Sequence, residues 1–409
     1  MNVRRAGGPS ALTDAISFQR APLAALRDRQ RVHGDLFQLT SAFGGRMLVI
    51  GAPPVAREVL SGPPERYLAG AANQRILPVL PDGTLLTLDG SEHRVRRRLL
   101  TPLLHGAALR GVTPAIRELA EREISTWPLG RPFAVLPRMR SLALGVAARL
   151  LLGIEDGPTV LRLETLLRSA LPPYSLLAGI ERLDRLGRAS PQALARRRRD
   201  EFGRQLTVLL RGHAGAGVIE RLGSDEVLAL LLAGHETTAT ALAWAIDHLA
   251  RTPEVADALV REREGPGRTW LDAVIWETLR LRPPLVDIVR RTTEPVTLDG
   301  RRVSAGTILL IPPPLIHLHG ASPDPDRFDP RRFAARRPDP ATWLPFGGGA
   351  RRCIGASLAM LELREILPTI VARFRLRAHG SRPERPTLRG TALVPAGGAR
   401  VILAERGRW

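Results

Sequence analysis

The chain has no lysine, a single cysteine (Cys353), and only 4% aromatic residues. One cysteine excludes a disulfide framework and any all-cysteine metal site, because both need at least a pair. Without lysine, all 60 basic residues are arginine, and with Gly and Pro abundant this is the mark of biased coding rather than of a selected polyanion site. The formal charge of +20 would otherwise point to nucleic acid or an anionic membrane. The densest basic run, Arg196 to Arg199, sits beside Asp200 and Glu201 in a helical stretch with almost no aromatics to stack on bases, so it reads as a solvated helix face. A basic helical nucleic-acid-binding protein is the remote alternative.

Long apolar runs are also scarce. The longest stretch without Asp, Glu or Arg, Val303 to Pro323, contains three consecutive prolines (Pro312 to Pro314) and two histidines, His317 and His319, which rules it out as a spanning helix. The N-terminus carries Arg4, Arg5 and Gly7-Gly8-Pro9 but no apolar core of a targeting segment. The expectation is a cytoplasmic protein without a membrane span.

What is present is helical. Of 409 residues, 44% are hydrophobic and 24% charged, a globular composition. Leu36 to Leu39 and Met47 to Ile50 flank Gly44-Gly45 and predict a small hairpin. From about Pro53 to Arg263 apolar residues recur three and four apart. The clearest helix is predicted from Ser224, as an N-cap hydroxyl followed by Asp225 and Glu226, to Arg251, roughly 40 Å at 1.5 Å per residue. A second runs from Trp270 to Leu281, ahead of Pro283-Pro284. Short strands then lead to Ile311, and loop is expected to Gly349. A last helix spans about Gly355 to Phe374, with Pro368 expected to kink or divide it, and Thr391 to Val394 and Arg400 to Leu403 suggest a terminal hairpin. No linker, repeat or low-complexity block interrupts residues 1–409, so one continuous domain is expected.

The informative segment is Phe346-Gly347-Gly348-Gly349-Ala350-Arg351-Arg352-Cys353-Ile354-Gly355, a glycine-rich loop that delivers the lone cysteine to the start of a helix. Backbone N–H groups and the helix N-terminus stabilise a thiolate there, which makes it a metal ligand or a nucleophile. No local signature of a cysteine hydrolase accompanies it, and zinc needs a clustered His set. Iron in a macrocycle needs only one axial thiolate.

The segment resembles the haem-binding loop of the cytochrome P-450 family, Phe-x-x-Gly-x-Arg/His-x-Cys-x-Gly, with every fixed position met. Other segments fit the same resemblance. Glu277-Thr278-Leu279-Arg280 matches the Glu-x-x-Arg motif, and Pro325-Asp326-Arg327-Phe328 matches the Pro-x-Arg-Phe segment whose arginine joins that pair. Glu277, Arg280 and Arg327 would then hold the cysteine loop in place. Ala233-Gly234-His235-Glu236-Thr237-Thr238 matches the Ala/Gly-Gly-x-Asp/Glu-Thr motif of a helix that bulges over the iron, where Thr237 hydrogen-bonds dioxygen and Glu236 relays protons. Heterolytic O–O cleavage needs two protons while bulk water is kept out. His93-Arg94-Val95-Arg96-Arg97 resembles the His-x-x-x-Arg that faces haem propionates, and its spacing of four puts both side chains on one helix face.

The resemblance implies a mainly α fold with small β-sheets, the haem lying between the long helix and the cysteine loop. Its cofactor would be haem b (iron protoporphyrin IX), with Cys353 on the iron and Phe346, Gly355, His93, Arg97, Arg290 and Arg351 binding the group. It implies monooxygenation of a hydrophobic small molecule by dioxygen, in secondary metabolism. The alternative is desaturation, rearrangement or oxidative coupling on the same haem. No flavin or iron–sulfur segment is visible, so electrons would come from NAD(P)H through an external reductase and an acidic ferredoxin docking near Arg351 and Arg352. The pocket would draw on Leu77 to Leu88, Leu166 to Ile180, Leu232, Ala233, Leu285 to Val289 and Leu393-Val394. Asp287 is its polar exception, a substrate contact or a salt-bridge partner for an arginine.

Overall fold

The computed structural model describes residues 18, 21–41, 45–76, 80–170, 181–211, 213, 215–263, 269–319 and 323–407. Helices dominate, and the 28-residue helix Ser224–Arg251 runs through their centre. Its C-terminal half from Thr238 to Ala250 is buried all round, as a helix enclosed by other helices must be. It lies along Val135–Leu152, whose own apolar positions are buried on most sides, and also meets Ala356–Arg373, the helix that follows the cysteine. This long helix is the one described segment apolar enough by length and composition to cross a membrane, and it is mostly buried inside the protein.

Among the described residues four small sheets flank the helices. The largest has the strand order Leu36–Ser41, Gly45–Ile50, Ile308–Ile311, Ile288–Thr292, Tyr67–Leu68. The predicted hairpin is its edge, with Leu36 opposite Ile50; Gly44 lies outside the described residues. A second core, of Leu48, Ile50, Val59, Leu60, Leu309 and Leu344, joins one face of this sheet to the helix Pro53–Ser61 and to the approach of the cysteine loop. The sheet therefore carries Arg290 and the helical core carries the long helix to the two sides of Cys353.

Several local expectations are corrected. The long helix is capped by Gly223 at φ +81°, and Ser224 is its first residue with no side-chain cap bond. The expected bulge is not a break: the helix continues through Ala233–Thr237. Pro368 does not divide the last helix, which continues from Ala356 to Arg373. Its buried residues on both sides of the proline, Leu363, Ile366, Leu367, Ile370 and Val371, hold it in the core, so packing outweighs the lost backbone bond. The loop predicted to Gly349 contains short helical turns at Pro313–Ile316, Pro330–Phe333 and Gly349–Arg351. The two C-terminal strands do not pair with each other. Ala392–Pro395 pairs with Pro386–Arg389, and Arg400–Glu405 pairs with Phe374–Ala378 and Phe133–Ala134.

Candidate active site

Cys353 ends a tight loop that its glycines make possible. Gly347 and Gly349 adopt φ of +66° and +64°, and a Cβ on Gly349 would fall 1.8 Å from the carbonyl oxygen of Leu60. The Cys353 N–H donates to the carbonyl of Phe346 at 2.8 Å, closing the loop, while the Phe346 ring packs edge-on to Trp343. The sulfur is exposed, although it lies deep in the protein and burial pushes its thiol pKa up. The N–H groups of Gly355 and Ala356 and the charges of Arg352 and Arg97 act the other way, toward the anion. A thiol both deep and open sits at the bottom of a recess.

One flank of that recess is a cluster of positive side chains. His93 is 5% exposed, and burial, with Arg351 and Arg97 beside it, brings its pKa down to about 4, so the ring is neutral at neutral pH. Burial lowers Arg290 to about 10, aided by Arg351, and also lowers Arg97 and Arg351. Asp89 is the carboxylate that opposes them, and it already accepts the N–H groups of Ala69, Gly70 and Ala71 at 2.8–3.0 Å and the Arg351 guanidinium. Among the described residues Arg290 donates only to the carbonyl of Val289, at 2.8 Å. Buried cations with so little opposing charge suit an anionic group. Haem, with two propionates on one edge and iron for a thiolate, fits these residues. Arg351 is turned inward to Leu85, Leu88 and Asp89, so of the two arginines expected at a docking face only Arg352 is exposed.

The long helix carries a second group of open residues. Ala233 is exposed in the middle of this core helix, with Leu232, Gly234, Glu236 and Thr237 partly exposed beside it. The Thr237 hydroxyl donates to the Ala233 carbonyl at 2.7 Å, and Glu236 is held by Arg140, whose Nε lies 2.7 Å from Oε2 and whose Nη2 meets Oε1. Sequence reasoning missed Arg140, one arginine among many on a helix with no motif of its own. Among the expected pocket residues, Leu285 and Asp287 are partly exposed, whereas Val394 is fully buried in the helical core and Val289 in the core of the sheet. Residues 77–79 and 171–180, also expected in the pocket, lie outside the described residues.

Glu277 and Arg280 form a fully enclosed pair, Nε to Oε2 at 2.6 Å and Nη2 to Oε1 at 2.9 Å. The third arginine is not Arg327, which is exposed and offers only its carbonyl to Arg280 at 3.5 Å. It is Arg332, whose Nε lies 3.4 Å from Glu277 Oε1. The pattern Pro-x-Arg-Phe occurs twice in succession, at 325–328 and 330–333, and burial selects the second copy. His317, also missed, links this pair to the cysteine loop: Nδ1 donates to the Arg280 carbonyl and Nε2 accepts the Leu344 N–H, both at 2.8 Å.

A sequence model described as "Cytochrome P450" matches residues 224–403. The chain is 35% identical to a Mycobacterium bovis protein named "Putative cytochrome P450 135B1", over 96% of this chain and 89% of that one. It is 33% identical to "Putative cytochrome P450 137" of Mycobacterium tuberculosis, over 97% and 91%. Among solved structures, CYP175A1 from Thermus thermophilus superposes with a TM-score of 0.75 at 25% identity, covering 98% of this chain and all of that one. Retinoic acid-bound cyanobacterial CYP120A1 shares the fold with a TM-score of 0.78 at 22% identity, over 93% and 94%.

Proposed function

Because the chain belongs to the cytochrome P450 family of haem-thiolate monooxygenases, we propose that Cys353 would ligate the haem iron and that Glu236 and Thr237 would serve oxygen activation. The observation that carries this reading is the deep, open Cys353 sulfur beside a cluster of cations that the protein leaves short of negative charge. When bound, haem supplies a redox-active iron at which dioxygen is reduced and one oxygen atom is transferred. The chain's own residues do the rest. Arg97, Arg290, Arg351 and neutral His93 would hold the propionates by charge-assisted and neutral hydrogen bonds. The Cys353 thiolate donates electron density, and the Gly355 and Ala356 N–H groups temper it. Glu236, steered by Arg140, passes protons toward the Thr237 hydroxyl, which can leave the Ala233 carbonyl to accept and donate them.

The substrate in this reading is a hydrophobic small molecule of secondary metabolism, matched to Leu232, Ala233 and Leu285. Hydroxylation or epoxidation follows in the cytoplasm, with electrons arriving from NAD(P)H through a reductase and an acidic ferredoxin that docks against Arg352. Electrostatic docking predicts slower reduction at high ionic strength and in Arg352→Glu. The decisive experiment is the carbon monoxide difference spectrum of the reduced protein. The thiolate-type band is expected in the wild type and not in Cys353→Ser; a protein that binds no haem, or a serine variant that keeps that band, refutes the proposal.

A further inference from the structure

Among the described carboxylates of the interior, Asp287 and Glu362 have no arginine partner, and of the two only Asp287 is partly open, Glu362 being enclosed on the helix Ala356–Arg373. Asp89, Glu226, Glu236, Asp247, Asp272 and Glu277 each take an arginine. In a chain with 60 arginines, Asp287 takes none among the described residues, and no neighbouring charge offsets its burial, which pushes its carboxyl up to about 6 against only its own backbone N–H. Yet its side chain is partly open. Deep and open together is the condition also met by the Cys353 sulfur.

The segment that carries Asp287 borders the active-site recess. At one end the Pro284 carbonyl accepts the Leu393 N–H at 2.8 Å and Leu285 bridges to Ala392, while Trp244 of the long helix donates to the Leu393 carbonyl at 2.7 Å. At the other end Ile288 Cδ1 lies 3.9 Å from where a Cβ on Gly347 of the cysteine loop would be, and Arg290 enters the cation cluster. The segment that carries Asp287 thus runs from the strand bound to Trp244 of the long helix to the cysteine loop. No charge among the described residues balances Asp287.

Resting on the monooxygenase reading above, we propose that Asp287 is a specificity residue that anchors a cationic nitrogen on an otherwise apolar substrate. The open residues Leu285, Ala233 and Leu232 are apolar, so an unpaired carboxylate among the candidate pocket residues fits an amphipathic amine or quaternary ammonium compound better than an acid. Such a cation supplies the partner the fold withholds. A neutral alcohol can accept one hydrogen bond from the site or donate one to it but brings no charge.

The test uses the haem-loaded full chain and three ten-carbon probes, decyltrimethylammonium, decanol and decanoate, titrated by calorimetry and by the haem absorption shift. The quaternary nitrogen has no lone pair, so it cannot ligate iron. Wild-type protein is expected to bind the ammonium at least about tenfold more tightly than decanoate and more tightly than decanol. Asp287→Asn should erase about tenfold of that preference and leave decanol within about threefold. Asp287→Ser repeats the comparison with a smaller side chain, and Asp287→Glu should retain the preference. The proposal is overturned when wild type binds decanol or decanoate as well as the ammonium, or when Asn and Ser keep the wild-type ranking. The carbon monoxide spectrum, recorded on every variant, separates this from failure of the haem-thiolate assignment: an intact band with an unchanged ranking refutes only the role of Asp287.

Discussion

Arg140 grips both carboxylate oxygens of Glu236 across the contact between Val135–Leu152 and the long helix, with both side chains about a quarter exposed. The pair is thus a positioned acid, and its stability value is small because solvent screens it. Arg140→Ala should cost under about 1 kcal/mol by chemical unfolding. Glu236→Gln should slow turnover on the order of 10²-fold and raise the solvent isotope effect while leaving substrate affinity unchanged. Equal rates in wild type and Glu236→Gln would remove Glu236 from the proton path.

The acid–arginine cluster under the cysteine loop behaves differently because it is enclosed. Removing Arg280 leaves Glu277, at 0% exposure, with only the Asp329 N–H and the more distant Arg332 among the described residues, so Arg280→Ala should cost about 3–5 kcal/mol and weaken haem retention. Arg332→Ala should be measurably destabilising, whereas Arg327→Ala, at an exposed site, should stay within about 0.5 kcal/mol. Urea unfolding of the three variants decides which copy of the repeated pattern is the working one.

The glycines of the loop separate into required and replaceable by geometry. At Gly349 an alanine would put its Cβ onto the Leu60 carbonyl at a φ of +64°, so the loop must shift, and Gly349→Ala should lose several kcal/mol or the haem. At Gly111, inside the helix Ala107–Ser125 with nothing within 4 Å, alanine should add about 0.5–1 kcal/mol. Thermal unfolding with haem absorbance measures both.

His317 gives the fold an acid limit. Its pKa is brought down to about 3 by burial, from roughly 6.5 in an unfolded chain. Above about pH 6.5 neither state takes the proton and the stability is full. As pH falls below that, the unfolded state binds a proton the folded state refuses, and stability declines until about pH 3. Over that window the loss should amount to a few kcal/mol, and His317→Gln should flatten the slope. An unaltered slope in the variant would place the acid sensitivity elsewhere.

Local chemistry was readable wherever a residue type cannot be exchanged. The cysteine loop needs glycines at positive φ, a lone sulfur and a following helix, and Phe346 to Gly355 spells these out in consecutive residues. The long helix carries its apolar content and its Glu236-Thr237 interruption in one stretch. Four-residue spacing was enough to bring His93 and Arg97 onto one helix.

Partners distant in the chain were another matter. Arg140 with Glu236 is 96 residues apart, and His317 reaches Arg280 and Leu344 from a proline-rich loop with no motif. In a chain whose every base is arginine, sequence offers many equal candidates for each carboxylate, and burial picks among them. It chose Arg332 over Arg327, drew Arg351 inward, enclosed Val394, let packing carry the helix past Pro368, and left Asp287 without a partner. The sequence by itself settled which groups could do chemistry, because that depends on side-chain type and local backbone. Which of them meet, and in what dielectric, was decided by the tertiary structure, because desolvation and long-range contact exist only after the helices and sheets have packed.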